Sequence, residues 1–265
     1  MKQQTRKPRK DIPKDIADPE AAIIRKAQER TVSELAWNPK TEIGKKVKAK
    51  EIVDVEEIFE SGKPILEHEI VDMLLPGMEN DLLMIGQSKG KFGGGARRVF
   101  RQTQKKTMEG NKPNFATLAV IGNKDGIIGL GYGKAKETVP AREKAQRKAK
   151  LNVFKIKRGC GSWQCGCKTP HSIPFKVEGR CGSVRVILSP APKGTGLVTE
   201  KEISKILAMA GIKDVWSKSY GQQKSKINLV KATEKALKML TSTKISEKDV
   251  KTLSIVDGKI KQKAE

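Results

Sequence analysis

Three cysteines and a histidine crowd one short stretch of this chain: Cys160, Cys165, Cys167 and His171, spaced C-x4-C-x-C-x3-H. Thiolate sulfur and imidazole nitrogen are the donors that tetrahedral zinc takes, so the four are candidate zinc ligands. The spacing is that of no common ribbon or knuckle, and a C-x-C pair strains a single tetrahedron. The preferred reading is therefore reduced structural thiols beside a surface histidine, with zinc as the alternative. Beyond that alternative, no cofactor is expected. Cys–His catalysis is weaker still, because no third residue stands ready to orient the imidazole.

Two glycine-rich stretches invite a phosphate-site reading. Gly129-Leu130-Gly131-Tyr132-Gly133-Lys134 looks like a phosphate loop, but Ile128 stands where the P-loop needs its first glycine and Ala135 where it needs Ser or Thr. The dinucleotide pattern G-x-G-x-x-G fails as well, with Lys134 at the third glycine position. These glycines instead suit close backbone approach to a helix or to RNA. Ser88–Arg101 (SKGKFGGGARRVFR) is different. Its glycines let the backbone follow a phosphate ridge, Lys89, Lys91, Arg97, Arg98 and Arg101 supply cations, and Phe92 is placed to stack on a base. Lys134 and Lys136 precede a helix carrying Arg142, Lys144, Arg147, Lys148 and Lys150, and a helix N-terminus favours phosphate. The plain alternatives are a solvated loop and a solvated helix face.

Charge supports the same direction. The 265 residues hold 54 Lys and Arg against 30 Asp and Glu, a net +24, with only 4% aromatics. Such an excess favours polyanionic partners. It is also segmented. Residues 51–85 carry 10 acidic residues and one lysine, whereas residues 86–112 and 134–158 are each strongly basic. The acidic segment is expected to face solvent or basic protein rather than phosphate. No apolar run approaches the roughly 18 residues of a membrane span. The N-terminus lacks the apolar stretch of a secretory signal. Four cysteines in so long a chain make no disulfide framework and point to a reducing cytosol.

The elements that would position these residues read as two α+β units. Residues 1–40 form an extension without its own core, with one helix expected over Pro19–Leu35. Pro64 opens an amphipathic helix burying Leu66, Ile70, Met73 and Leu74, its acidic residues Glu67, Glu69 and Asp72 and His68 forming an exposed polar face. Phe115–Gly122 and Ile127–Gly133 form a hairpin with Asp-Gly turn chemistry. A helix over Thr138–Asn152 follows, with Ala141, Ala145 and Ala149 as a smooth face. In the second unit, strands are expected at Leu151–Lys157, Ser172–Val177 and Val184–Leu188, the last two joined by a turn over Glu178–Gly182. Thr199 and Glu202 make a capping box before a helix burying Ile203, Ile206, Leu207 and Ala210, and Gly211 stops it. Asp214–Ser219 is a short strand. Ser225 caps a last helix with Leu229, Ala232, Ala236, Leu237 and Leu240 inward. The Lys-rich Ser242–Glu265 stretch is read as peripheral.

The blocks FATLAVIGNKDGIIGLGYGKAKE (Phe115–Glu137), KRGCGSWQCGCKTPHSIPFKVEGRCGSVRVILSPAPKGTGLV (Lys157–Val198) and LAMAGIKDVWSKSYG (Leu207–Gly221) closely resemble the small-subunit ribosomal protein five family, archaeal/eukaryotic type. The likeness runs from about Trp37 to about Leu240, and the cysteine-bearing loop resembles the archaeal branch. The resemblance implies a double-stranded-RNA-binding-like α-β-β-β-α domain over residues 61–152. It implies a β-α-β-α domain with a left-handed crossover over residues 153–241, an exception to the usual hand. A basic N-terminal extension (1–60) and a basic C-terminal tail (242–265) flank them.

It further implies a non-enzymatic constituent of the small ribosomal subunit, in the cytoplasm. Its partners would be small-subunit rRNA, mRNA at the entry channel and the neighbouring third and fourth small-subunit proteins, with effects on decoding accuracy and mRNA passage. The family loop that reaches toward the decoding region maps to about Gln104–Pro113, where Asn111 and Lys112 follow Gly110 in place of the family's frequent arginine pair. The expected RNA contacts are Lys89, Lys91, Arg97, Arg98, Arg101, Lys105, Lys106, Lys112, Lys134, Lys136, Lys144, Arg147, Lys148, Arg158 and Lys193. An RNA-modifying or RNA-unwinding enzyme, the rival, would need a nucleotide site or clustered carboxylates, and neither has usable spacing here.

Overall fold

The computed structural model describes residues 37–87 and 97–258. The helix expected over Pro19–Leu35, and Lys89, Lys91 and Phe92, lie outside the described residues. The fold is α+β, built on two sheets that share one core. The first sheet comprises β1 (Glu79–Leu83), β2 (Arg101–Thr107), β3 (Gly110–Gly122), β4 (Ile127–Ala135) and β5 (Val153–Lys155). β3 is 13 residues long and serves two antiparallel partners along one edge. Its first half pairs with β2, Arg101 opposite Ala116 through Thr107 opposite Gly110, and its second half with β1. β4 pairs along the other edge. The expected hairpin is present. Asn123 Oδ1 accepts the N–H groups of Asp125 and Ile127, and Lys124 and Gly126 adopt positive φ.

Three short helices precede this sheet: α1 (Glu42–Lys48), α2 (Val55–Ser61) and α3 (His68–Leu74). They and Trp37 carry a small second core of Trp37, Val47, Ile58, Ile65, Ile70 and Val71 that packs onto Ile127 and Val153. The helix expected from Pro64 begins at His68 instead, and Leu66 is exposed rather than buried. The reason lies with Glu67. Its carboxylate accepts the indole Nε1–H of Trp37 (2.9 Å) and the N–H groups of Lys40 (2.9 Å) and Thr41 (2.7 Å), which holds residue 67 in extended backbone as the N-cap position. Burial raises the carboxyl's pKa, but these donors outweigh it and hold the group below its ordinary value. The clamp is therefore fully ionised at neutral pH, and the stability it gives falls away only as acid protonates Glu67. His68 and Glu69 pair at 3.0 Å, both part-exposed, and Asp72 bonds Lys150 at 2.6 Å. His68, Glu69 and Asp72 form the expected polar face, and Glu67 does not belong to it.

Helix α4 (Thr138–Leu151) lies against β4, with Ala141, Ala145 and Ala149 fully buried. Gly129, Gly131 and Gly133 face that alanine row. A methyl on Gly131 would fall inside contact of the Ala145 carbonyl and the Ala149 backbone, so helix and strand would have to separate. Of the two approaches expected for these glycines, the one realised is to a helix. The second unit repeats the device, Gly179 lying against Ala232 and Ala236 of its own helix.

That unit contains β6 (Lys157–Arg158), β7 (Val177–Cys181), β8 (Val184–Pro190), β9 (Leu197–Val198), α5 (Lys201–Met209), β10 (Val215–Tyr220) and α6 (Lys226–Ser242). The sheet order is β7-β8-β10-β9, with β9 parallel to β10 and the other pairs antiparallel. Several expectations shift here. Val153–Lys155 pairs with β4 and belongs to the first sheet. Of the strand expected over Ser172–Val177, only its ends pair, Ser172 in a single bridge with Gly159 and Val177 as the first residue of β7; residues 173–176 are irregular. Ile173 is buried, yet Pro174 has no N–H to give a ladder. Residues 178–181 run inside β7, and the turn is Gly182-Ser183, with Gly182 at φ +59. The cap of α5 is Glu200, accepting from the Glu202 N–H (2.9 Å), not Thr199. Glu202 is instead buried and accepts the Met84 N–H from the first unit at 2.8 Å. The expected inward residues of α5 and α6 are all fully buried, and Gly211 ends the first at φ +80.

One core cluster runs through both units, from Leu83, Leu118, Val120, Ile128 and Leu130 to Val184, Val186, Ile203, Leu207 and Leu237. The stretch after α6 docks rather than trails. Following α7 (Glu247–Thr252), β11 (Val256–Asp257) pairs with β6, and the Cys160 N–H bonds the Leu253 carbonyl at 2.9 Å. No helix among the described residues is long and apolar enough to cross a membrane.

Candidate nucleic-acid interface

Lys89 and Lys91 apart, which lie outside the described residues, most of the expected RNA-contacting residues fall on three separate surfaces, and Arg158 falls on none. Gln104–Pro113, mapped as a loop, is the distal half of the β2–β3 hairpin, turning at Met108-Glu109. Every residue of β2 but Thr107 is exposed, so the hairpin leaves the body of the sheet with Arg101, Lys105, Lys106 and Lys112 on its surface. Lys112 pairs with Glu109 at 2.6 Å. Alternation along β3 turns Ala119 and Ile121 toward α4, so Ala116, Leu118 and Val120 face the opposite side. Arg101 and Lys134 are both registered on Ala116, one from each neighbouring strand. They therefore share the sheet face away from α4, next to exposed Tyr132.

The outer face of α4 makes the second surface. With Ala141, Ala145 and Ala149 inward, Arg142, Lys144, Arg147 and Lys148 are exposed, and Lys136 is exposed just before the helix. Arg147 has only a loose contact to Glu143, 3.9 Å. Lys150, on the same helix, is taken by Asp72. Lys193, exposed in the segment between β8 and β9, belongs to a third surface. Arg98 is exposed, while Arg97 is half-buried and donates to the Lys224 carbonyl at 3.1 Å.

Arg158, expected to touch RNA, is buried instead. It is 4% exposed, paired with Asp125 and donating to the Gly258 carbonyl at 3.3 Å. It lies beneath the β3–β4 turn, whose Lys124 and Gly126 N–H groups bond the Met209 and Ala210 carbonyls at the end of α5. Its charge is spent inside the protein, fastening the two units and the C-terminal stretch together.

The structure also gathers Cys160, Cys165, Cys167 and His171, whose ligand atoms all lie within 4.8 Å of one another. The histidine expected at the surface is buried, its Nδ1 2.7 Å from Asp214 Oδ2. Burial pushes the Cys160 thiol up to about 11, and its neighbours Cys167 and Cys165 add to that. Hydrogen bonding with the Thr169 side chain and backbone draws Cys167 down to about 6. Asp214 stands 43 residues from His171 and carries no local signal in the sequence. Trp163, 89% exposed at the tip of the same loop, was legible as a lone aromatic among glycine, serine and glutamine, yet no role attached to it.

Comparison with known proteins agrees with the residue-level likeness. Residues 99–157 match the profile of ribosomal protein S5, N-terminal domain, and residues 179–250 that of ribosomal protein S5, C-terminal domain. The small ribosomal subunit protein uS5 of Nanoarchaeum equitans is 47% identical over 224 residues, 84% of this chain and 96% of that protein. That of Methanocaldococcus jannaschii is 44% identical over 224 residues, again 84% and 96%. Two domain profiles in order, and close archaeal relatives along nearly their whole length, establish that this chain belongs to the ribosomal protein S5 family, a family of structural rather than enzymatic proteins.

Proposed function

We propose that this protein is a structural, RNA-binding constituent of the small ribosomal subunit, holding rRNA through phosphate contacts on several sides and reading its shape rather than its sequence. The observation that carries the reading is where the charges go. Four carboxylates of the acidic segment are used internally: Asp72 with Lys150, Glu79 with Lys124, Asp81 with Lys205 and Glu67 with Trp37 and two backbone N–H groups. Arg101, Lys105, Lys106, Lys134, Lys136, Lys144, Lys148 and Lys193 remain exposed, with no ion pair among the described residues. Cations left in water on three surfaces, away from the acidic segment, are fit for polyanion contact.

The finer reading follows the family. Residues 61–152, with Val153–Lys155 completing the sheet, form a double-stranded-RNA-binding-like domain and the rest of residues 153–241 a β-α-β-α domain with a left-handed crossover, between an N-terminal extension (1–60) and a C-terminal tail (242–265). The protein sits in the cytoplasmic small subunit near the mRNA entrance, beside the third and fourth small-subunit proteins, and supports decoding accuracy and mRNA passage. The exposed β2–β3 hairpin is the part that reaches toward the decoding region. Reversing Lys105, Lys106 and Lys112 to glutamate should change misreading in a reporter assay severalfold. Subunit incorporation should persist, because no buried side chain lies between Arg101 and Lys112. Unaltered misreading by ribosomes that carry the variant would contradict the assignment of the hairpin.

A further inference from the structure

We propose that Cys160, Cys165, Cys167 and His171 bind one structural zinc ion, with Asp214 as the carboxylate that orients the histidine. The geometry is the first argument. A tetrahedral site with Zn–S bonds of about 2.3 Å has ligand–ligand edges of about 3.8 Å. Cys160 Sγ lies 3.7 Å from Cys167 Sγ, and Cys165 Sγ lies 3.8 Å from His171 Nε2. The C-x-C spacing, which counts against a single tetrahedron when read linearly, is accommodated because all four donor atoms, the Cys165 and Cys167 sulfurs included, lie within 4.8 Å of one another. Cys165 meets the histidine, and Cys167 meets Cys160.

The second argument is the histidine itself. A zinc-ligating imidazole presents one nitrogen to the metal and donates its other N–H to a carboxylate or carbonyl, which fixes tautomer and ring orientation. His171 does this with Nδ1 on Asp214 Oδ2, both side chains over nine-tenths buried, leaving Nε2 toward the sulfurs. Asp214 is itself fixed, its Oδ1 accepting the N–H groups of Gly194 (3.1 Å) and Gly196 (2.8 Å). A histidine that merely filled space would need no such buried, doubly anchored partner.

The third argument is what the loop lacks. Residues 161–170 contribute no buried hydrophobic side chain, and Trp163 points away from both cores. The loop is pinned at its base by the antiparallel bridge of Gly159 with Ser172, the two N–H···O bonds being 2.9 Å each. Ligands from its start, middle and end would tie the rest to that base. Zinc binding would displace the thiol protons to solvent. Thiolate-rich tetrahedral donation selects zinc over the harder divalent cations.

The test is metal analysis of the full-length protein, purified under reducing conditions without chelator from zinc-supplemented cells. One equivalent of zinc is expected, and exchange into cobalt(II) should give the visible absorption of a tetrahedral thiolate site. Asp214→Asn should weaken zinc affinity about 10- to 100-fold in competition with a chromophoric chelator. Cys181→Ser, at the cysteine outside the cluster, should leave stoichiometry unchanged. Less than about 0.1 equivalent of zinc in the folded wild-type protein would overturn the proposal. So would full occupancy retained in the Cys165→Ser/Cys167→Ser double variant. Neither outcome touches the RNA-binding reading, which the measurement does not use.

Discussion

Asp125→Ala should cost about 3 kcal/mol of folding stability, the lower end of what is lost when one partner of a buried ion pair is removed. The lower end applies because Asp125 keeps 30% of its side-chain exposure while Arg158 keeps 4%. The loss comes less from a missing attraction than from a guanidinium left in the junction without its carboxylate. Asp125→Ala/Arg158→Met should therefore recover part of the loss, since an apolar chain of similar length needs no counter-charge. Chemical denaturation of the three proteins measures this. A midpoint for Asp125→Ala equal to wild type would show that the pair does not hold the junction. The same experiment separates Arg158 from the RNA-contacting residues. Its replacement should alter stability, whereas the exposed lysines should alter binding with stability almost unchanged.

RNA affinity should weaken independently on two faces of the first sheet. Lys144, Arg147 and Lys148 lie on the outer side of α4, while Arg101 and Lys134 lie on the opposite face, level with Ala116. If each meets a phosphate, alanine at the helix set should reduce the slope of log affinity against log salt by about 3, and alanine at the sheet set by about 2. Both sets together should remove the sum, since distant sites without shared partners behave additively. Wild type should itself lose affinity steeply with salt, by about 0.7 to 0.9 log units per tenfold for each phosphate neutralised. Filter binding to a small-subunit rRNA fragment across a salt series reads all of these. If only one set changed the slope, the protein would be touched on one side, and the several-sided reading would be wrong.

What could be read from the chain follows physical range. The row Ala141, Ala145, Ala149 and the alternate glycines 129, 131 and 133 are local periodicities, so both were visible, and each fits the other across the helix–sheet contact. The inward residues of α5 and α6 were visible for the same reason. Helices α1 and α2 were not. Each is 7 residues long and buries only one or two apolar side chains, too few to show a period, although Gly62 in the left-handed region marks a stop. The middle of Ser172–Val177 misled because apolar alternation reports burial and not hydrogen bonding, and Pro174 breaks the ladder between Ser172 and Val177.

The cations and the histidine failed in a different way. Arg158 resembles any other basic residue until Asp125, 33 positions earlier, is brought beside it. His171 reads as a surface residue until Asp214 closes over it. The four donors of the loop were recognised from residue type, but their mutual distances depend on a loop closure that spacing alone cannot supply.

Sedimentation of ribosomal subunits bears on the assignment itself. An epitope-tagged copy of the chain, expressed in an archaeal host, is followed through a sucrose gradient after a high-salt wash. The tagged protein should migrate with the small subunit and stay there. Salt weakens every phosphate contact, yet contacts on several sides of one framework must all open together before the protein can leave. Recovery at the top of the gradient as free protein, with intact small subunits lacking it, would contradict a role as a structural constituent.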